Sequence, residues 1–477
     1  MSETIVELDR SKSATAGAVG LNDGLIAAGR TVYNLGQGRE QQDVPLDIQA
    51  AYGFAFVSYV VKYIRNMVPD FLSRGADILL GEEKFTPFPV STKYNSDHGG
   101  DKEVRTVAAG WLNRFFGLEG DAGNTFVFQQ LGRAVLKEAA STFRKVNCKA
   151  DANDMVRRPL VLLPDSMWPM LSETMADFTP VEYDVNEDDQ CDNMIEALFT
   201  ALEPDPSREV LFYLNFPHNP TGRTMTPDEL DRFITAIEKE NEQRKSFGWA
   251  PITLALDTPY FHANPEAAND NDSLLQLGYE RLKRNGSVPY FMIASGSKAF
   301  GTATPGLSFA SLHDSLVKPF TAGITASIGG AYVPAFFEGV KKAFSKQYDA
   351  SWLGHFRSIR TKYEQNRSYL VDAFKSVAGA SIAHGNPGMT SLIELDEETF
   401  LNRQVTGKLK TWDIRTVNDL VEYLANEHSV VVVNNSSAKG SFLRVAQATT
   451  LDKGFRNGVD GLVAGLNTVA PAPRLAA

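Results

Sequence analysis

The stretch Ile293-Ala294-Ser295-Gly296-Ser297-Lys298-Ala299-Phe300-Gly301 places a lysine just beyond an apolar run that begins at Tyr290. Such a run reads as a buried strand, and the small polar residues after it as the rim of a sheet. An amine held there is partly desolvated, which lowers its pKa and suits it to form a Schiff base with an aldehyde. Alone, the Ser-x-Ser-Lys pattern reads first as an exposed loop lysine, because lysines are mostly exposed. The residues upstream separate the two readings. Asp257-Thr258-Pro259-Tyr260 follows another apolar run, Ile252 to Leu256. A carboxylate ending a buried strand needs a cation or several hydrogen bonds. A protonated pyridine nitrogen would be such a cation, and the Tyr260 hydroxyl can reach the same ligand.

Other strand ends carry polar groups as well. Asn215-Phe216-Pro217-His218-Asn219-Pro220-Thr221-Gly222 combines two X-Pro steps and a glycine into a rigid turn with the Asn219 amide inside it. Gln129-Gln130-Leu131-Gly132-Arg133 leads from a strand into a helix, where free backbone N–H groups and an arginine suit an anion. Taken alone, Arg133 also fits an ordinary surface salt bridge. Pro164-Asp165-Ser166-Met167-Trp168 ends in an indole that fits either a stacking wall for an aromatic ligand or core filler.

The elements that position these residues alternate. Thr125–Phe128, Leu160–Leu163, Val181–Tyr183, Val210–Leu214, Ile252–Leu256, Tyr290–Ala294 and Leu307–Leu312 are seven short apolar runs. Helical stretches lie between them, for example Arg133–Thr142 and Pro227–Glu240. Continuous runs fit a sheet covered on both faces, and strand–helix alternation predicts an α/β domain with a mostly parallel sheet. The expected organisation is a mobile N-terminal arm (1–30), a segment joining a small domain (31–49), a large domain (50–337), an α+β small domain (338–469) and a tail (470–477). Residues 47–80 carry helical periodicity, and a charged amphipathic helix is expected at about Trp352–Val377. The charge run Lys239–Trp249 reads as a solvated helix end.

Composition narrows the function classes. The chain has 477 residues, 43% apolar and 22% charged, as in an ordinary globular enzyme of two or more domains. A net charge of −11 disfavours nucleic acid and anionic membranes as general partners. Cys148 and Cys191 are far apart, which points to a reducing, cytoplasmic compartment and away from disulfides or a zinc site. The polar, acidic first residues fit neither a signal nor a transit peptide. Pro319–Phe337 is uncharged but diluted by small residues, and reads as buried or interfacial rather than membrane-spanning.

In order, Asn219-Pro220-Thr221-Gly222, Asp257-x-x-Tyr260 and Ser295-x-x-Lys298 resemble the fold-type-I aminotransferases of class I/II, the aspartate-aminotransferase-like enzymes that use pyridoxal 5'-phosphate. Pro164-x-x-x-Trp168, the Tyr94 to Arg105 loop and Phe442-Leu443-Arg444-Val445 extend the resemblance over about residues 31–465. It implies a mixed, mostly parallel seven-stranded sheet with a smaller α+β domain. It also implies that Lys298 holds the cofactor and acts as the base at Cα, with Asp257 opposite the ring nitrogen. Asn219 and Tyr260 would bind the ring hydroxyl and Trp168 would stack on the ring. Leu131, Gly132, Arg133, Ser295 and Tyr94 would hold the phosphate, Tyr94 reaching a neighbouring subunit. Arg444, Asn219 and Gly38 would bind the amino-acid substrate, and a homodimer with shared sites is implied. Two departures stand out. The family's phosphate-binding arginine, eight residues after the lysine, is replaced by Gly306, leaving Arg133 as the expected substitute. No arginine occurs in 318–350, where aspartate-type members carry a side-chain clamp. Transamination is the leading reading. The alternative is a non-transaminating enzyme of specialised metabolism: elimination or replacement at the β or γ carbon, S-adenosylmethionine use, or carbon–carbon bond formation.

Overall fold

The computed structural model describes residues 5–36, 44–54, 99–117, 120–148, 158–165, 167, 170–185, 190–260, 282, 286–299, 306–327, 334–383, 388–436, 440–448 and 453–470. The chain opens with a helix, Ala14–Ala27, and a short strand, β1 (Tyr33–Asn34). All seven apolar runs then become strands: β2 (Thr125–Phe128), β3 (Leu160–Pro164), β4 (Thr179–Tyr183), β5 (Val210–Asn215), β6 (Thr253–Asp257), β7 (Tyr290–Ser295) and β8 (Ser308–Leu312). They form one sheet in the order β2-β8-β7-β6-β5-β3-β4. The pairings among β3, β4, β5, β6 and β7 are parallel, and β8 runs antiparallel to both its neighbours. This is the expected mixed, mostly parallel α/β sheet.

Every residue of β2, β3, β5, β6, β7 and β8 is buried, which explains their unbroken apolar character. Successive side chains face opposite sides. Leu160, Leu162, Phe212, Leu214, Leu254 and Met292 join one core with Trp111 of the Lys102–Phe116 helix. Val161, Leu163, Leu211, Tyr213, Ala255 and Phe291 join the other, beneath the helices Gly132–Asn147 and Asp314–Ser327.

A second body follows in the strands β9 (Ala380–Ile382), β10 (Thr390–Leu395), β11 (Arg403–Thr406), β12 (Thr411–Ile414), β13 (Val430–Val431), β14 (Val433–Asn434) and β15 (Ser441–Ala446). β14-β15-β10-β9 form an antiparallel sheet, β11 and β12 a hairpin, and β1 pairs in parallel with β13. The helices Val417–His428 and Lys453–Val469 complete this core. The long helix is Asp349–Phe374. Its Trp352 and Phe356 belong to the large-sheet core and its Leu370 and Phe374 to the small one, so large-body packing runs past residue 337.

Two expectations change. The arm expected to be mobile is a docked helix: Ala18, Leu21 and Leu25 are buried in the small core, and the Ser13 hydroxyl caps the helix start by accepting from the Ala16 N–H. The charge run is not wholly solvated. Arg244 is fully buried, donates to the carbonyls of Ala250, Pro206 and Arg208, and pairs with Glu240 at 3.8 Å, which together satisfy its guanidinium. Residues 55–80, most of the periodic stretch 47–80, lie outside the described residues. Among the described residues no helix is long and apolar enough to cross a membrane.

Candidate active site

The register of the large sheet aligns the polar strand ends. Asn215 of β5 sits opposite Asp257 of β6, Asp257 opposite Ile293 of β7, and Ser295 of β7 opposite Ser308 of β8. In parallel α/β sheets the crevice at these carboxyl ends is where ligands bind. Asp257 is 8% exposed, and its Oδ2 accepts from the Tyr213 hydroxyl at 2.8 Å. Burial raises its carboxyl from 3.8 to about 7, and the Tyr213 hydrogen bond only partly offsets this. Such a carboxyl ionises fully at neutral pH only when a cation faces it.

The turn after β5 is built on that edge. Asn215 donates to the Asp257 carbonyl at 2.9 Å and accepts from the Asn219 N–H at 2.9 Å. The Asn219 amide nitrogen then donates to the Tyr260 hydroxyl at 2.9 Å. The peptides Phe216-Pro217 and Asn219-Pro220 are cis, and Gly222 has φ of 75°. The Asn219 Oδ1 is buried without a hydrogen-bond partner among the described residues. A buried amide with spare capacity beside a tyrosine hydroxyl fits a ligand that carries a phenolic oxygen. Tyr260 packs with Ile359 and Tyr363 of the long helix and with Met389 and Ala448. Burial pushes its hydroxyl well up, with partial relief from nearby Arg444.

Lys298 sits half-buried on the helical turn Gly296–Ala299, directly after β7. The Thr258 N–H and hydroxyl both donate to the Ile293 carbonyl, at 2.8 and 3.1 Å, and so tie the ends of β6 and β7 together. On the other side of β7 lies the turn into the Gly132–Asn147 helix. A Cβ on Gly132 would lie 2.9 Å from the Ser295 Cβ, so only glycine lets the turn approach that closely. Leu131, half-exposed, begins the helix without a side-chain cap, and its first-turn N–H groups suit an anion. Ser308 donates to the Gln130 carbonyl at 2.8 Å, fixing the turn to β8.

Gly306 lies against this turn. Its φ is 78°, and a Cβ there would stand 3.1 Å from the Gln130 carbonyl carbon. Arg133, one residue into the helix, pairs with Glu173 at 2.8 Å, and both side chains are largely exposed. Arg444 of β15 approaches from the small sheet. It is 6% exposed, and its Nη2 donates to Thr15 and to the Gly36 carbonyl, each at 3.3 Å. Burial lowers its pKa, and Tyr260 partly offsets this. The two bodies also meet where Thr390 donates to the Pro220 carbonyl at 2.7 Å.

The structure therefore brings Asp257, Asn219 and Tyr260 into one hydrogen-bonded group, with Ser295 and Gly132 in contact beside it. Trp168, Tyr94 and Gly38 lie outside the described residues. Tyr213 and Asn215 were not singled out from sequence, because each sits within or at the end of an apolar strand. The buried carboxylate, the amide with spare capacity, the side-chain-free cradle at Gly132 and the small-sheet arginine together fit a phosphorylated pyridine and an amino acid.

Comparisons with known proteins follow the same line. The profile of the family "Aminotransferase class I and II" matches residues 157–462. A sequence search of curated proteins finds no match. Among solved structures, an aspartate aminotransferase from Rhizobium meliloti is similar in fold, with a TM-score of 0.68 at 17% identity, covering 96% of this chain and 97% of that one. YbdL from Escherichia coli, whose structure and reactivity identify a methionine aminotransferase function, gives 0.66 at 14% identity, over 96% and 97% of the two chains. An alanine aminotransferase from Pyrococcus furiosus gives 0.64 at 14%, over 96% and 98%. With a profile that spans more than half of its length, the chain belongs to the class I and II aminotransferases, whose cofactor is pyridoxal 5'-phosphate.

Proposed function

We propose that the chain transaminates an α-amino acid, with Lys298 as the residue that holds the cofactor and moves the proton. The observation that supports this best is the buried Asp257 carboxylate, in register with Asn215 and on the strand next to β7, which leads into the turn that carries Lys298. Pyridoxal phosphate, when bound, supplies an aldehyde carbon and an electron-accepting ring. The chain's residues do the rest. Asp257 would pair with the ring nitrogen, whose positive charge would hold the buried carboxyl ionised. Asn219 and Tyr260 would hydrogen-bond the ring hydroxyl, and Trp168 would be the stacking residue. The N–H groups after Leu131, with Gly132, Ser295, Arg133 and Tyr94 of a neighbouring copy, hold the phosphate. Arg444 grips the substrate carboxylate as a two-pronged pair, with Asn219 and Gly38 beside it. The Lys298 amine would hold the cofactor and, when freed, would serve as the base that carries the proton at the substrate Cα. The working unit in this reading is a cytoplasmic homodimer with sites shared between copies.

The named neighbours act on aspartate, methionine and alanine, so likeness of fold leaves the side-chain preference open. The test is direct. The purified holoenzyme is treated with borohydride and its peptides are weighed, and the reduced adduct is expected on Lys298. Exposure to single amino acids should convert the cofactor to its pyridoxamine form with release of a keto acid. Release of a leaving group without pyridoxamine would favour elimination or replacement instead, and an adduct on another lysine would sink the assignment.

A further inference from the structure

Arg444 is buried, yet its guanidinium makes no ion pair among the described residues. Its Nη2 contacts the Thr15 hydroxyl and the Gly36 carbonyl, each at 3.3 Å, and its Nε is buried without a partner among the described residues. Thr15 accepts from Arg444, and its own hydroxyl proton has no acceptor among the described residues. A guanidinium with donors to spare beside a hydroxyl with a proton to spare is a two-point receptor for a carboxylate.

Thr15 is not there by loose contact. It lies in the first turn of the Ala14–Ala27 helix, which is strapped to the body that carries Arg444. The Asn426 side chain accepts from the Val6 N–H at 3.0 Å and donates to the Val6 carbonyl at 2.9 Å. Arg10 pairs with Asp419 at 2.6 Å. Ala18, Leu21 and Leu25 are buried against the core that contains Val430, Val432 and Val433. The helix and the arginine therefore belong to one packed unit, and the distance between Thr15 and Arg444 is fixed by that packing.

We infer that Thr15 is a specificity-determining residue, whose hydroxyl donates to the substrate carboxylate gripped by Arg444, so that the amino-terminal helix forms one wall of the substrate site. This rests on the proposed role of Arg444. It adds a second point to that grip, because the carboxylate would bridge guanidinium and hydroxyl.

The experiment uses the holoenzyme. The probe is whichever of the standard L-amino acids most strongly perturbs the cofactor's visible absorbance. The control is the primary amine that lacks only that carboxylate. Thr15→Val should raise the half-saturation for the amino acid roughly tenfold and leave that for the amine unchanged. Thr15→Ser should restore the amino-acid value to within about a factor of two or three. Arg444→Gln should weaken the amino acid by more than Thr15→Val does. If Arg444→Gln weakens binding and Thr15→Val does not, the Thr15 role is overturned while the Arg444 role stands. Equal weakening of amino acid and amine by Thr15→Val overturns it too, by showing a structural effect. No effect of Arg444→Gln, or no spectral response to any amino acid, overturns both.

Discussion

Replacing Asp257 by asparagine should make the cofactor-free protein more stable, and increasingly so as pH rises. The carboxyl is buried and its folded value is raised from 3.8 to about 7. Between those values the folded chain holds a proton that the unfolded chain has lost. Stability from this group is therefore full below the unfolded value and falls as pH rises through the window, by about 1.4 kcal/mol per pH unit. From about pH 5 to about pH 8 the loss is about 3 kcal/mol, levelling off above 7. Asparagine has no proton to lose. Any fixed effect of the substitution cancels when the two proteins are compared at both pH values. With an unfolding entropy of roughly 2 cal/mol/K per residue, the 477-residue chain should show the asparagine variant gaining about 3 °C in relative Tm between the two conditions. Paired thermal melts of the cofactor-free proteins measure this directly. In the holo protein the ring nitrogen's charge should abolish the effect. Tyr213→Phe removes the hydrogen bond that holds the carboxyl down and should carry the decline to higher pH. A difference in Tm between wild type and Asp257→Asn that does not change with pH would refute the reasoning.

Two predictions concern the phosphate end. Arg133→Ala breaks an exposed ion pair worth about 0.2–1 kcal/mol, so Tm should move by less than about 1 °C, while the Kd for pyridoxal phosphate rises about tenfold. Unchanged cofactor retention would remove Arg133 from the phosphate site. Gly306→Arg should not restore the family's anchoring arginine, because the backbone there is left-handed and pressed against Gln130. We expect a loss of about 1–3 kcal/mol in stability with no gain in cofactor affinity, and tighter binding by that variant would contradict this.

The large sheet was legible because six of its strands are buried on both faces and so appear as unbroken apolar runs. The Asp257, Asn219 and Tyr260 group was legible because each polar residue stands at or just past such a run, in an order that resembles a known family's. Tyr213 escaped notice for the converse reason: a tyrosine inside Val210–Leu214 reads as core, and only the structure shows its hydroxyl on Asp257. The amino-terminal helix was missed because its buried stripe is thin, built from Gly17, Ala18, Leu21 and Leu25 among polar and small neighbours. Its burial depends on partners about 400 residues away, such as Val430, Val432 and Val433, which no local pattern announces. The obstacle to a side chain at Gly306 is likewise a matter of backbone conformation and a distant neighbour, neither of which composition encodes.

The long helix is rooted at its start among Trp352 and Phe356 and at its end among Leu370 and Phe374. At 26 residues it is a stiff rod of roughly 39 Å. Its middle is held as well, with Ile359 and Tyr363 buried against Tyr260. There Lys362 and Asn366 also donate to the carbonyls of Ala448 and Gln447, just past the strand that bears Arg444. One rod thus braces Tyr260 of the large body and the chain just past Arg444 of the small one, so under the proposed roles the two residues share a single support.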